Sequence, residues 1–159
     1  MSIIIFSRPR NSGKTSELID WCNNQENSAG ILMPDVNGLR KMYDIQTRTM
    51  FDAEHNIAIA TNEALVSIGN FHFYQSSFDI ANYNIDKAIN QQKKYVLIDE
   101  VGKLELNHQG FYKSVNMAVQ SVSDKTYSGT LILTVRDVLL EKVLDSFSIS
   151  NYNIVNHIN

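Results

Sequence analysis

Residues 2–7 read S-I-I-I-F-S, and residues 8–16 continue R-P-R-N-S-G-K-T-S. A run of β-branched and aromatic residues stops at a loop of Pro, Asn, Ser and Gly. The loop ends in Gly13-Lys14-Thr15, and a helical pattern follows. This is the order strand, phosphate-binding loop, helix. Backbone N–H groups turned inward in such a loop form an anion nest, and the helix N-terminus adds partial positive charge. Gly13 lets the backbone approach closely because it has no side chain. Lys14 is placed to reach β- and γ-phosphates, and Thr15 to put its hydroxyl on Mg²⁺. The candidate nucleotide-binding residues are therefore Arg8, Pro9, Arg10, Asn11, Ser12, Gly13, Lys14, Thr15 and Ser16. One position departs from G-x-x-x-x-G-K-[ST], because Arg8 stands where the first glycine belongs. If that position needs positive φ, an arginine there costs about 1 kcal/mol or more. If it does not, Arg8 adds a cation near the phosphates. Asn11, which tolerates the left-handed region, stands inside the loop.

The chain of 159 residues is long enough for one domain, 1–159, with a real core. Hydrophobic content of 43% and charged content of 19% are ordinary for a soluble globular protein. A formal charge of −3 supplies no global field to attract nucleic acid. No apolar run approaches a membrane span, and the apolar run Ile3–Phe6 has no basic region before it, unlike a signal peptide. The expectation is a cytoplasmic protein with neither a nucleic-acid nor a membrane partner. The single cysteine, Cys22, forms no internal disulfide and reads as a packed thiol. His55, His72, His108 and His157 lack zinc-ligand spacing, so no structural metal is expected.

Working outward, Thr15–Asn27 reads as the first helix, and Gly30–Met33 as a second strand closed by Pro34. Residues 35–75 are rich in β-branched and aromatic residues with several turn signals. Lys41–Arg48, Ile57–Ala60, Leu65–Ile68 and Phe71–Tyr74 all read as candidate strands, with turns at Gly38 and Gly69-Asn70. They make a small antiparallel excursion, about residues 38–75. Its aromatics, Tyr43, Phe51, Phe71, Phe73 and Tyr74, read as a local core rather than a stacking platform. Ser76–Gln92 returns to helical period. Lys94–Glu100, K-Y-V-L-I-D-E, is an apolar strand buried on both faces and ending in two acids. Gly110–Val122 is a helix, Thr130–Val135 a central strand, Asp137–Phe147 a helix that Asp137 is placed to N-cap, and Tyr152–Val155 a last strand. Alternating strands and helices give an α/β fold with three layers and a mainly parallel central sheet.

Asp99 and Glu100 end their strand where ligand sites of parallel sheets lie, and the phosphate loop follows the same end of its own strand. Asp99 fits the Mg²⁺ position with Thr15, directly or through water. Glu100 fits a base that orients the attacking water, and Lys14 is its catalytic companion. Two idle acids at a strand-end turn are the plain alternative.

Residues 96–106, V-L-I-D-E-V-G-K-L-E-L, resemble the IDE-[IV]-G-[KP]-[ML]-E-L signature of the cancer-related nucleoside-triphosphatase family of P-loop NTPases. Residues 8–15 align with that family's glycine-rich loop. Residues 30–45 resemble its apolar strand followed by G-x-R and an aromatic, and residues 70–92 its strand and helix before the acid pair. The resemblance implies a P-loop NTPase fold and slow, Mg²⁺-dependent hydrolysis of several nucleoside triphosphates with little base preference. It implies phosphate and metal roles for Lys14 and Thr15, the metal-side acid in Asp99 and the water-activating acid in Glu100. Gly102 allows the turn after the strand. Glu105 belongs to the motif with a structural role, tying either Lys103 or a backbone amide. Arg40 matches the G-x-R arginine, as a cation near the triphosphate, at a subunit contact or in a surface salt bridge. The chain departs from the family at Arg8, Asn11, Met42 and Tyr43, and lacks its Asn-Arg near the end. There Arg136 follows a strand end, positioned either to reach the nucleotide or to support the following helix.

The resulting expectation is an NTP phosphohydrolase. A small-molecule kinase using the same loop, and a nucleotide-binding switch with little turnover, are the alternatives. The basic rim of Arg8, Arg10 and Lys14 suffices for a triphosphate and not for a nucleic-acid groove.

Overall fold

Side-chain alternation inside the apolar runs decides which layer each residue fills. In the computed structural model, which describes residues 2–159, strand β1 is Ser2–Arg8. Its Ile3 and Ile5 enter one core, and Phe6 enters a second on the opposite face. Strand β8 (Tyr95–Ile98) does the same with Val96 and Ile98 against Leu97, and β9 (Thr130–Arg136) with Leu131 and Leu133 against Ile132. A sheet buried on both faces needs two helical layers. Helix α1 (Lys14–Asn23) covers the smaller core with Leu18 and Cys22. Helices α2 (Gln75–Asn90), α4 (Tyr112–Ser123) and α5 (Leu140–Ser146) cover the larger one.

The other strands are β2 (Ser28–Leu32), β3 (Asp35–Val36), β4 (Leu39–Asp44), β5 (Thr49–Asp52), β6 (Leu65–Ile68), β7 (Phe71–Tyr74) and β10 (Asn153–Val155). The spatial order is β10-β1-β9-β8-β2-β4-β3. All pairs from β10 to β2 are parallel, whereas β4 runs antiparallel to β2, β3 and β5. β9 therefore separates the strand of the phosphate loop from the strand of the acid pair. The carboxyl ends of β1, β9 and β8 lie side by side, which brings the loop, Thr134 and Asp99 to one rim. No helix among the described residues is long and apolar enough to cross a membrane.

The β excursion divides in two. β3, β4 and β5 extend the central sheet, and only β6–β7 forms a separate hairpin. Thr49–Asp52 is a strand not anticipated, paired to β4 from Lys41↔Asp52 to Asp44↔Thr49. Ile57–Ala60 is not a strand. Asn56 folds it into a turn, its side chain accepting the Ala58 N–H (3.0 Å) and its carbonyl the Ile59 N–H (2.9 Å). Such Asx turns compete with strand pairing, and Ile57 and Ile59 are left 79% and 62% exposed. Asp137 does not cap a helix either. Its carboxylate accepts the neighbouring Val138 N–H, and a 3₁₀ turn over Asp137–Leu139 precedes α5.

One glycine fixes the sheet beside the site. Gly30 pairs with Leu97 across β2 and β8, at φ 121°. A Cβ there would land on the Leu97 backbone carbonyl, which cannot move without breaking the ladder. Gly30→Ala combines a forbidden φ with backbone overlap. It is expected to cost about 3 kcal/mol or more, at the severe end for single substitutions, read as a fall in the urea midpoint. An unchanged midpoint would contradict this pairing of β2 with β8.

Candidate active site

The phosphate loop leaves β1 and re-enters regular structure at α1. Positive φ falls on Asn11 (56°) and on Gly13 (82°), which is the N-cap of α1. Arg8 is not among the positive-φ residues. It ends β1, opposite Arg136 of β9, so the steric cost of an arginine in place of glycine does not arise. Its guanidinium turns to Glu17 on α1 at 2.6 Å and lies 5.0 Å over the Phe6 ring. Ser12 Oγ is shielded from water and has no hydrogen-bond partner in the protein. A buried hydroxyl in that condition is suited to a ligand oxygen. Cys22 is a packed thiol, with burial pushing its pKa up to about 12.

Lys14 is 6% exposed. Its Nζ donates to the carbonyls of Arg8 (3.3 Å) and Pro9 (3.1 Å) at the base of the loop. Burial lowers its pKa, while Glu100 and Asp99 pull it back up. Thr15 Oγ1 donates to Asp99 Oδ2 at 2.7 Å, which joins the two sequence motifs directly.

Asp99 is fully buried and fully used. Oδ2 also accepts the Met33 N–H (2.9 Å), and Oδ1 accepts the Glu100 N–H (3.0 Å) and the Thr134 hydroxyl. Thr134 Oγ1 in turn accepts the Glu100 N–H at 2.8 Å. Sequence reading missed Thr134. The available signal was the second hydroxyl of T-L-I-L-T-V, near the carboxyl end of the strand, but only the strand order reveals that it stands between loop and acids. Thr15 supplies a hard hydroxyl oxygen of the kind Mg²⁺ prefers when phosphates and waters complete its shell, and Asp99 stands directly behind it, holding that hydroxyl. Among the described residues no three His, Cys, Asp or Glu side chains converge to hold a metal unaided.

Glu100 adopts φ 57°, left-handed for a non-glycine residue. Two acceptors on its N–H hold that conformation. Its carboxylate faces Arg40 Nη1 at 3.4 Å. Burial and then the Asp99 charge raise its pKa, against Arg40, Lys14 and Arg136. Arg40 Nη1 also donates to the Met33 carbonyl at 3.0 Å, so Met33 is tied to Asp99 through its N–H and to Arg40 through its oxygen. Glu105 lies behind the site. Its carboxylate accepts the N–H groups of Gly102 (2.8 Å) and Phe111 (2.9 Å), which resolves its role in favour of backbone amides over Lys103. It closes the short helix α3 (Lys103–Leu106), and burial pushes its pKa up to about 7.

These groups open into one cavity of about 360 Å³. Arg10, Lys14, Arg40, Glu100, Thr134 and Arg136 supply its polar wall, and the hairpin β6–β7 with Phe78, Leu104 and Phe111 its apolar one. Pro9, Asn11, Ser12 and Gly13 of the loop, and Thr15 and Ser16 in the first turn of α1, stay outside the cavity lining.

A family model described as NTPase matches residues 4–157. The chain belongs to this NTPase family. Two solved structures share the architecture of this chain. A crystal structure of THEP1 from the hyperthermophile Aquifex aeolicus superposes with a TM-score of 0.69 at 13% identity, covering 98% of this chain and 88% of the other. The solution structure of a human cancer-related nucleoside triphosphatase gives 0.65 at 19% identity, covering 98% and 89%. At these identities the likeness is one of fold. No curated protein matches the chain.

Proposed function

We propose that the protein is a Mg²⁺-dependent nucleoside-triphosphate phosphohydrolase that converts NTP to NDP and phosphate, slowly and with little base preference. The observation that carries this is the Thr15–Asp99 contact at 2.7 Å, with Glu100 held beside it and facing Lys14's cavity. A bound Mg²⁺, held by Thr15 and backed by Asp99 through that hydroxyl or a water, would polarise the β/γ-oxygens. The chain's own groups do the rest. The loop amides and Lys14 hold the phosphate oxygens and meet the charge that develops on them. Glu100 positions a water for in-line attack on the γ-phosphorus and takes its proton. Arg40 restrains Glu100, and Arg136, at the end of β9 on the cavity wall, is a second cation for the phosphates. Arg8 acts indirectly, holding α1 through Glu17. The family assignment and the nucleoside-triphosphatase identity of the human fold neighbour support this reading.

The test is phosphate release from ATP, GTP, CTP and UTP, with Mg²⁺ and with chelator. Release from all four at comparable rates, abolished by chelation, is expected. No release from any of them would sink the hydrolase reading, and a single preferred base would remove the claim of broad specificity.

A further inference from the structure

We propose that the apolar half of the cavity is a second ligand site, taking a small molecule that joins a flat ring to a phosphate group. The enzyme would then pass the γ-phosphoryl group to that phosphate as well as to water. The inference rests on the hydrolase reading in one respect only, the γ-phosphate lying at Lys14.

Three observations lead there. The first is the wall itself. Ile68, Phe71 and Phe73 of the hairpin line it with Phe78 and Phe111, and the Phe71 and Phe73 rings lie nearly parallel, 10° apart in plane with centroids at 6.1 Å. The triphosphate group of a nucleotide is anionic and gains nothing from aromatic surface, whereas a flat ring does. Cavities of about 300 Å³ or more, mostly apolar with a few convergent polar groups, take small organic ligands. The second is position. Of the loop, only Arg10 and Lys14 reach the cavity, while Ser12, Gly13, Thr15 and Ser16 around the start of α1 do not. The cavity therefore opens from the γ end of a bound triphosphate, away from its own nucleoside. The third is charge. Arg10, Arg40, Lys103 and Arg136 line the cavity besides Lys14, against Glu100 and a Glu105 whose oxygens are already taken by backbone amides. That exceeds what one γ-phosphate requires. The Arg10 guanidinium stands 5.9 Å over the half-buried Phe71 ring, so a stacking face and an anion-binding group adjoin. Ring plus phosphate is the chemistry of a nucleoside monophosphate.

The transfer balances simply. An acceptor phosphate oxygen bonds to the γ-phosphorus, the bond from that phosphorus to the β–γ bridging oxygen breaks, and its electron pair leaves with the NDP. A phosphomonoester has a second pKa of about 6, so the acceptor is dianionic at neutral pH and brings no proton to remove. Transfer, unlike hydrolysis, then needs no general base.

The experiment uses ATP labelled at the γ-phosphate, Mg²⁺, and AMP, GMP, CMP or UMP at millimolar concentration, and separates labelled phosphate from labelled nucleoside diphosphate. Labelled diphosphate is expected with at least one acceptor. Phe71→Ala should lower transfer roughly tenfold, as loss of a base–aromatic stack does, and leave acceptor-free phosphate release and the KM for ATP unchanged. Phe71→Leu, which keeps the hairpin's apolar packing, should do the same. Glu100→Gln should lose phosphate release and retain transfer. Phosphate release without labelled diphosphate from any acceptor would overturn the proposal and leave the hydrolase standing. A raised KM for ATP in both Phe71 variants would also overturn it, by showing that the wall holds the triphosphate's own nucleoside. Diphosphate without phosphate release would support the proposal and sink the hydrolase, and neither product would sink both.

Discussion

Glu100→Gln is expected to bind nucleoside triphosphate as the wild type does and to release phosphate about 10²–10⁴-fold more slowly, the usual contribution of a general base. The amide keeps the shape of the carboxylate and loses its power to accept a proton. The backbone argues that this acid was placed for a purpose. Glu100 sits at φ 57°, where a side chain costs of order 1–3 kcal/mol. Asp99 and Thr134 both accept its N–H to keep it there. β8 has ended at Ile98, and Glu100 stands between two residues still tied to the sheet, Asp99 through the Ile31 carbonyl and Val101 through the Thr134 carbonyl. The sign of the pKa shift separates activity from stability. A carboxyl raised above its unfolded value favours folding when protonated, and that contribution fades as pH rises through the folded pKa. Above the folded pKa the ionised Glu100 is thus a net cost, and in that range the glutamine variant should melt no lower than wild type. Single-turnover phosphate release, a nucleotide titration and a thermal melt make the check. A wild-type rate would mean that Glu100 is not the base and that its contact with Arg40 is only structural.

Sequence and structure agree where chemistry dictates local spacing. The G-K-T loop and the acid pair each carry their own signal, and the alternating apolar runs name both faces of the sheet. Asn11 illustrates how far this goes, since its tolerance of the left-handed region is used in the loop at φ 56°. What escaped was set by distant partners. Thr134 matters because β9 lies between β1 and β8, and no local pattern gives strand order. Thr49–Asp52 becomes a strand because β4 offers it an edge, whereas Ile57–Ala60, with two β-branched residues to its one, finds a turn at Asn56 instead. Phe71 and Phe73 read as local core, and both do pack against it, yet the hairpin also turns them onto the cavity. Arg8 looked like a defect in the loop only because the motif names a residue type and not a φ angle.

Lys14→Met is the second large effect, and its two consequences point in opposite directions. In the ligand-free protein Lys14 is a buried cation, 6% exposed, satisfied by two loop carbonyls in place of phosphate. Burial dominates its lowered pKa, so the folded state disfavours the charge. A lysine shifted this way costs stability at neutral pH, and the cost is relieved as pH rises through the folded pKa. Methionine has similar length and no charge. The ligand-free variant should therefore melt at the wild-type temperature or above it. With nucleotide the balance reverses. Incoming phosphate oxygens are expected to replace the Arg8 and Pro9 carbonyls as partners of Nζ, and the ammonium would then meet the charge that grows on them during transfer. Removing one such preorganised donor typically costs about 10²–10³-fold in kcat. Ligands that bind only the folded state raise the melting temperature, so the rise given by a non-hydrolysable triphosphate with Mg²⁺ should shrink in the variant. A thermal melt with and without that analogue, beside a phosphate-release assay, reads both effects on one sample. A ligand-free variant that melts lower, with an undiminished rise on adding nucleotide, would assign Lys14 to holding the loop together and remove it from the phosphate site.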